Sequence, residues 1–147
     1  EPHSDNVLVT RETAPPDLVQ RLGLPTGTPQ TLVFVRRRVL ADDRPVLYST
    51  DILPLSLFGG QRLDTLDFTQ PIFSIVEQYC HVTVTKTLAR VHAVTGSSLI
   101  RHQLGLRPDQ ALTQLDETCY SRLCKPVLCC QTCYTDFFDF AIVRKLM

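Results

Sequence analysis

Arg44-Pro-Val-Leu-Tyr-Ser-Thr-Asp51 returns later in the chain as Lys125-Pro-Val-Leu-Cys-Cys-Gln-Thr132. The likeness extends beyond this phrase: Leu22-Gly-Leu24 precedes the first copy and Leu104-Gly-Leu106 the second. Gly23 and Gly105 are 82 residues apart, and Pro45 and Pro126 are 81 apart, so one single-residue gap separates the two registers. Each unit reads as strand, helix, Leu-Gly stop, strand, tight turn, strand. The repeat predicts an internally duplicated α+β domain whose halves pair about a pseudo-twofold axis. About six antiparallel strands in one sheet, with helices packed on one face, leave room for a concave site between the layers or at the axis.

Outward from the quoted stretch, residues 45–53 read as a strand, with Pro45 at its first position, where a missing N–H costs least. Residues 31–40, rich in Val, Phe and Leu, form its hairpin partner across the turn 41–44. Upstream, residues 1–6 read as a polar tail or linker remnant and 7–10 as a short strand. Pro15-Pro16 opens a helix and Gly23 stops it. Downstream, a loop over 54–67 leads to a helix from Gln70-Pro71 to about Tyr79, with Ile72, Ile75, Val76 and Tyr79 on one stripe. Residues 82–94 form a long strand, and Thr95-Gly-Ser-Ser98 caps a helix that Gly105 ends. Strands over 111–120 and 126–134 flank a turn at 121–125, and 137–144 reads as a final strand closing the sheet.

The chain has 147 residues, 44% hydrophobic and 20% charged, which suits one folded domain. Fifteen Lys+Arg balance fifteen Asp+Glu. A neutral chain has no field to draw in nucleic acid, and Arg36-Arg37-Arg38 is the one basic run, so any contact with DNA belongs to another part of the protein. No apolar run approaches the roughly 20 residues that span a bilayer, so no membrane partner is expected, and no secretory signal is present. The only Met is Met147, and the chain reads as a domain excised from a longer protein. Six cysteines are present: Cys80 alone and five between Cys119 and Cys133. Strand alternation sends Cys130 and Cys133 of the C-x-x-C to opposite faces, which favours free structural thiols over a metal site or disulfides.

Chemistry-bearing motifs are sparse. There is no Gly-x-Ser-x-Gly elbow, H-E-x-x-H, P-loop or G-x-G-x-x-G, and His3, His81, His92 and His102 sit in no motif. No catalytic residue, metal ligand or cofactor is expected. Arg37 shares a strand face with Val33, Val35 and Val39. A cation in that apolar row needs an anionic partner, which is either a ligand or a carboxylate of the sheet such as Asp51. Arg90 and His92 alternate with Ala89, Val91 and Ala93, and this polar side either lines a pocket or faces water. Tyr134, Asp136, Phe137, Phe138 and Phe140 form an aromatic cluster in which Tyr134, with its polar tip, is the pocket candidate.

The ordered set Leu22-Gly-Leu24, Leu40-Ala-Asp-Asp-Arg-Pro-Val-Leu-Tyr-Ser49, Ile52-Leu-Pro54, Leu104-Gly-Leu106, and Lys125-Pro-Val through Tyr134-Thr-Asp-Phe-Phe-Asp-Phe140 resembles the UTRA domain. That domain is the effector-binding module of many GntR-type bacterial transcription regulators. The resemblance implies a chorismate-lyase-like fold, an N-terminal winged helix-turn-helix outside this sequence, a homodimer, and a cytoplasmic repressor whose DNA affinity a small metabolite alters. Members that bind phosphorylated sugars carry two alternating arginines on the first hairpin strand; Arg37 matches the first, and Val39 stands at the second. Such members also carry an acidic residue where Ser49 stands, and a serine near Pro71. These departures point away from a phosphosugar and toward a less charged organic acid. On this reading Arg37 holds the anionic group, Ser49 and Tyr134 supply hydrogen bonds, Arg90 and His92 line the far wall, and Asp51 and Asp136 complete the ligand-binding set. Two other readings stay open: a chorismate-lyase-type enzyme on the same fold, and a zinc-binding module built on Cys124, Cys130 and Cys133.

Overall fold

Two tight turns generate the hairpins around which the sheet is built. Asp42 and Asp43 take positive φ (50° and 61°), the geometry of a two-residue turn that matches strand twist, and join β2 (Thr31–Ala41) to β3 (Arg44–Pro54). A second turn, with Cys124 at φ 56°, joins β5 (Leu112–Ser121) to β6 (Pro126–Tyr134). The computed structural model describes residues 1–147 and adds an edge strand to each hairpin, β1 (His3–Thr13) and β4 (Val84–Val94). The order is β1-β2-β3-β6-β5-β4, and every pairing is antiparallel.

The seam between β3 and β6 locates the axis of the duplication. The offset of 81 carries Thr50 onto Gln131, and these two residues pair directly across the seam. Their neighbours exchange as a twofold requires: Ser49 pairs with Thr132, and Asp51 with Cys130. Helix α1 (Pro16–Arg21) follows β1, and α3 (Ser98–Leu104) occupies the same place after β4. The chain leaves the two helices through Gly23 (φ 60°) and Gly105 (φ 59°), a left-handed step that glycine takes without a Cβ penalty. Helix α2 (Ile72–Cys80) lies outside the repeat and links the halves.

The helices divide between the two faces of the sheet rather than covering one. Leu32 and Val33 point to opposite sides because side chains alternate along a strand. Leu32 packs with Leu18, Leu22 and Cys129 beneath α1, and Tyr48 and Cys133, on that same face, pack with Leu104 of α3. Val33, Val35 and Leu53 pack on the other face with Phe58, Ile75 and Val76. The consecutive apolar run Leu32-Val33-Phe34-Val35 leaves neither face of β2 fit for water, so both require cover. A twofold normal to the sheet places α1 and α3 together, which leaves the opposite face to α2. Each fully buried Val, Leu or Ile in these layers contributes about 1.5–3 kcal/mol.

The ends of the chain depart from the sequence expectation. Residues 3–6 are not a tail; they begin β1, where Asp5 accepts from Arg38 Nε (2.7 Å) and Nη2 (2.5 Å). A bulge between Asp5 and Leu8, with Asn6 at φ 48°, interrupts the alternation that would have marked the strand. No strand forms over 137–144. Strand β6 already has β3 and β5 as partners, and the free edges of the sheet lie at β1 and β4. The departing chain instead turns back at Thr135, whose N–H and hydroxyl donate to Val46 O (3.0 and 2.8 Å). Phe138 and Phe140 then meet the Tyr134 ring edge-on, at centroid distances of 4.9 and 5.0 Å.

Candidate functional site

On the α2 face, β3 presents Leu47, Ser49 and Asp51, and β6 presents Cys130, Thr132 and Tyr134. These residues floor a cavity of about 380 Å³ that straddles the seam. Arg37 and Val39 of β2 stand on one side, and Glu117 of β5 on the other. Thr69, Pro71 and Phe73, at the entry to α2, form the roof, and residues 2–4 edge the mouth. Both halves of the duplication therefore contribute to one chamber.

Arg37 and Asp51 are 5% and 2% exposed, so neither charge can rely on water. Arg37 Nη2 donates to Asp51 Oδ2 at 2.7 Å. Its Nη1 donates to Phe68 O at 3.2 Å and also to Gln70 O. The guanidinium thus ties β2 and β3 to the segment that roofs the cavity. Arg37 Nε is buried and has no acceptor. Ser49 Oγ lies 3.5 Å from Asp51 Oδ2. Burial pushes the Asp51 carboxyl above the usual carboxylate range, against the opposing pull of Arg37, the Cys130 thiol and Ser49. Burial also raises the Tyr134 hydroxyl, and the Glu117 carboxylate adds to the effect, so the phenol remains a protonated donor at neutral pH.

Of the seven residues singled out from sequence, Arg37, Ser49, Asp51 and Tyr134 converge on this cavity. Arg90 and His92 do not. They pair with Asp116 and Gln114, and Asp116 accepts from Arg21 of α1 at 2.8 Å, which fixes that set of side chains on the opposite face. The two residues are exposed on an edge strand. Asp136 lies beyond the end of β6, where Arg44 Nη2 (3.3 Å) and Gln110 Nε2 (3.4 Å) hold it at the surface. Glu117 and Thr132 were missed. The repeat alone points to Thr132, which the offset of 81 places on Asp51, whereas Glu117 needs the strand register as well, because the same offset carries Arg37 onto Thr118. Ser49, the partner of Arg37, corresponds through the offset of 81 to Cys130, and Cys130 pairs with Glu117. Glu117 therefore stands in the second half where Arg37 stands in the first, and Thr132 stands where Asp51 does.

The cysteines do not gather. Cys130 lies 3.9 Å from Cys119 on the cavity face, Cys133 meets Gln114 on the other face, and Cys124 is exposed in the β5–β6 turn. All six are free thiols. Burial raises Cys80, Cys129 and Cys133, and Cys130 is raised first by its hydrogen bond with Cys119 and then by burial.

The fold matches solved structures over nearly the whole chain. PhnF from Mycobacterium smegmatis superposes with a TM-score of 0.86 at 18% identity over 99% of this chain, which spans 64% of that protein. The effector domain of PhnF gives the same TM-score and identity, with 88% of its length covered. A protein from Bordetella bronchiseptica, described as the ligand-binding domain of a putative GntR-family transcriptional regulator, matches with a TM-score of 0.81 at 25% identity, over 100% of this chain and 89% of its own. No match was found among curated proteins. The UTRA domain family matches residues 1–136. On that match the chain belongs to the UTRA domain family and carries its chorismate-lyase-like antiparallel sheet.

Proposed function

We propose that this ligand-binding regulatory domain is the effector-sensing part of a GntR-type bacterial transcription regulator. A small metabolite enters the chamber on the seam and shifts a homodimer between DNA-competent and DNA-incompetent states. DNA is held by a winged helix-turn-helix elsewhere in the longer protein, in the cytoplasm, and ligand release restores repression. The observation that carries this reading is the position of the cavity: both halves of the repeat supply its floor, and Arg37 ties that floor to the entry of α2. A ligand that displaces the roof acts on the one helix joining the halves. Edge strand β4 leaves its outer edge unpaired, with Leu88 exposed on one face and Val91 on the other at 57% and 64%, and a second copy would meet the domain along that edge.

Thermal unfolding in the presence of metabolites tests the proposal. A ligand of this site should raise the melting temperature, increasingly with concentration. Val39→Trp, which fills the chamber from its wall, should abolish that rise while the variant still unfolds cooperatively. An equal rise in wild type and Val39→Trp would place the ligand elsewhere.

A further inference from the structure

The symmetry of the repeat leaves the chamber with an unbalanced negative charge. In the first half Arg37 is neutralised by Asp51 at 2.7 Å. In the second half Glu117 stands at the position of Arg37, and the position of Asp51 holds Thr132, which has no charge. The Glu117 side chain accepts no hydrogen bond and joins no ion pair, while its backbone carbonyl is used by Arg21 Nη2 at 3.0 Å on the way to the other face. Arg37 has little to offer an anion. Three of its five N–H donors are spent on Asp51, Phe68 O and Gln70 O, and Nε is buried away from the open space. Hydroxyls of Ser49, Thr132 and Tyr134 lie on the same floor, suited to a hydroxylated neighbour of a charged group.

We infer that the effector carries a cationic nitrogen, such as an amine, seated on the Glu117 carboxylate, with polar groups hydrogen-bonded by Ser49, Thr132 and Tyr134. The inference rests on the sensor reading above and replaces the organic acid expected from the sequence. An ammonium supplies the second half with the counter-ion that the repeat lacks there, just as Asp51 supplies the first. A carboxylate or phosphate in the same place would be repelled by Glu117, and would have one Nη2 N–H of Arg37, the floor hydroxyls, His3 at the mouth and the uncapped N–H groups at the start of α2 to set against that repulsion.

The test is thermal unfolding of the chain against three sets of probes: putrescine, glucosamine and ethanolamine; glucose and glycerol; glucose 6-phosphate and citrate. The inference expects stabilisation from the amine set alone. Glu117→Gln should bind the stabilising amine about tenfold more weakly or worse, since a charge-assisted hydrogen bond is lost. Thr132→Lys provides the cation internally and should exclude amines while keeping the fold, so it covers the case in which Glu117→Gln unfolds. Stabilisation by the neutral or acidic probes alone, or amine affinity unchanged in both variants, overturns the inference and leaves the sensor reading standing. No stabilisation by any probe counts against both.

Discussion

Arg37 is held by one carboxylate and two carbonyls, and the consequence of that arrangement is asymmetric. Removing the cation leaves the buried Asp51 carboxyl with only Ser49 and the Cys130 thiol to meet it in a dry site. Arg37→Ala should therefore lower stability by about 3–5 kcal/mol. Arg37→Met combined with Asp51→Leu should lose less than Arg37→Ala, because the buried charge goes with its partner; urea denaturation of both variants measures the difference. A double variant as weak as the single would mean that packing, not charge, dominates there. The thiols make a second prediction at this scale. Cys124 alone is exposed, so one thiol should react rapidly with an aromatic disulfide reagent at neutral pH and five more after denaturation. Burial pushes Cys80 up from 9.0 to about 11, so the folded state keeps that proton longer than the unfolded chain does. Its contribution to stability is complete below pH 9 and is lost as pH rises toward 11. Cys80→Ala should flatten that part of the stability profile.

The elements show where sequence reading succeeds and where it stops. Gly23 and Gly105 mark helix ends because a left-handed step is a local requirement, legible without any partner. The start of β1 is hidden because a bulge at Asn6 breaks its alternation and because an edge strand need not be apolar. Phe137, Phe138 and Phe140 look like strand residues in isolation, yet whether a strand forms depends on a free partner, and β6 has none to give. Arg90 and His92 satisfy a polar alternation that fits either face; the register with Asp116 decides which, and register is a tertiary fact. The connection into α3 carries its own test. Gly96 sits at φ 80°, and a Cβ there would lie 3.0 Å from Leu112 Cδ1, while Gly105 at φ 59° has open space around it. Gly96→Ala should cost more than about 1 kcal/mol, and more than Gly105→Ala, as measured by denaturant unfolding. Equal losses would show that the Leu112 side chain moves aside freely.

At the scale of the whole molecule, a duplicated unit puts its own copies face to face. Thr50 meets Gln131, its counterpart, and the chamber forms on the α2 face beside that axis. The site inherits the symmetry in shape and breaks it in chemistry, with Glu117 in the place of Arg37 and Thr132 in the place of Asp51. The repeat is readable from Pro45 and Pro126; the broken symmetry is not, because the offset of 81 carries Arg37 onto Thr118 and only the strand register puts Glu117 in its place. Helix α2 has no mate in the repeat, and that asymmetry gives a ligand something to move: pressure on the roof reaches the link between halves through Arg37 and the carbonyls of Phe68 and Gln70. The most direct measurement is a crystal structure of the domain grown with a molecule that raises its melting temperature. The account predicts electron density for that molecule on the β3–β6 seam, within hydrogen-bonding distance of Thr132, Tyr134 or Glu117 and beneath Pro71 and Phe73. Density at any other surface, with this chamber filled only by water, would contradict it.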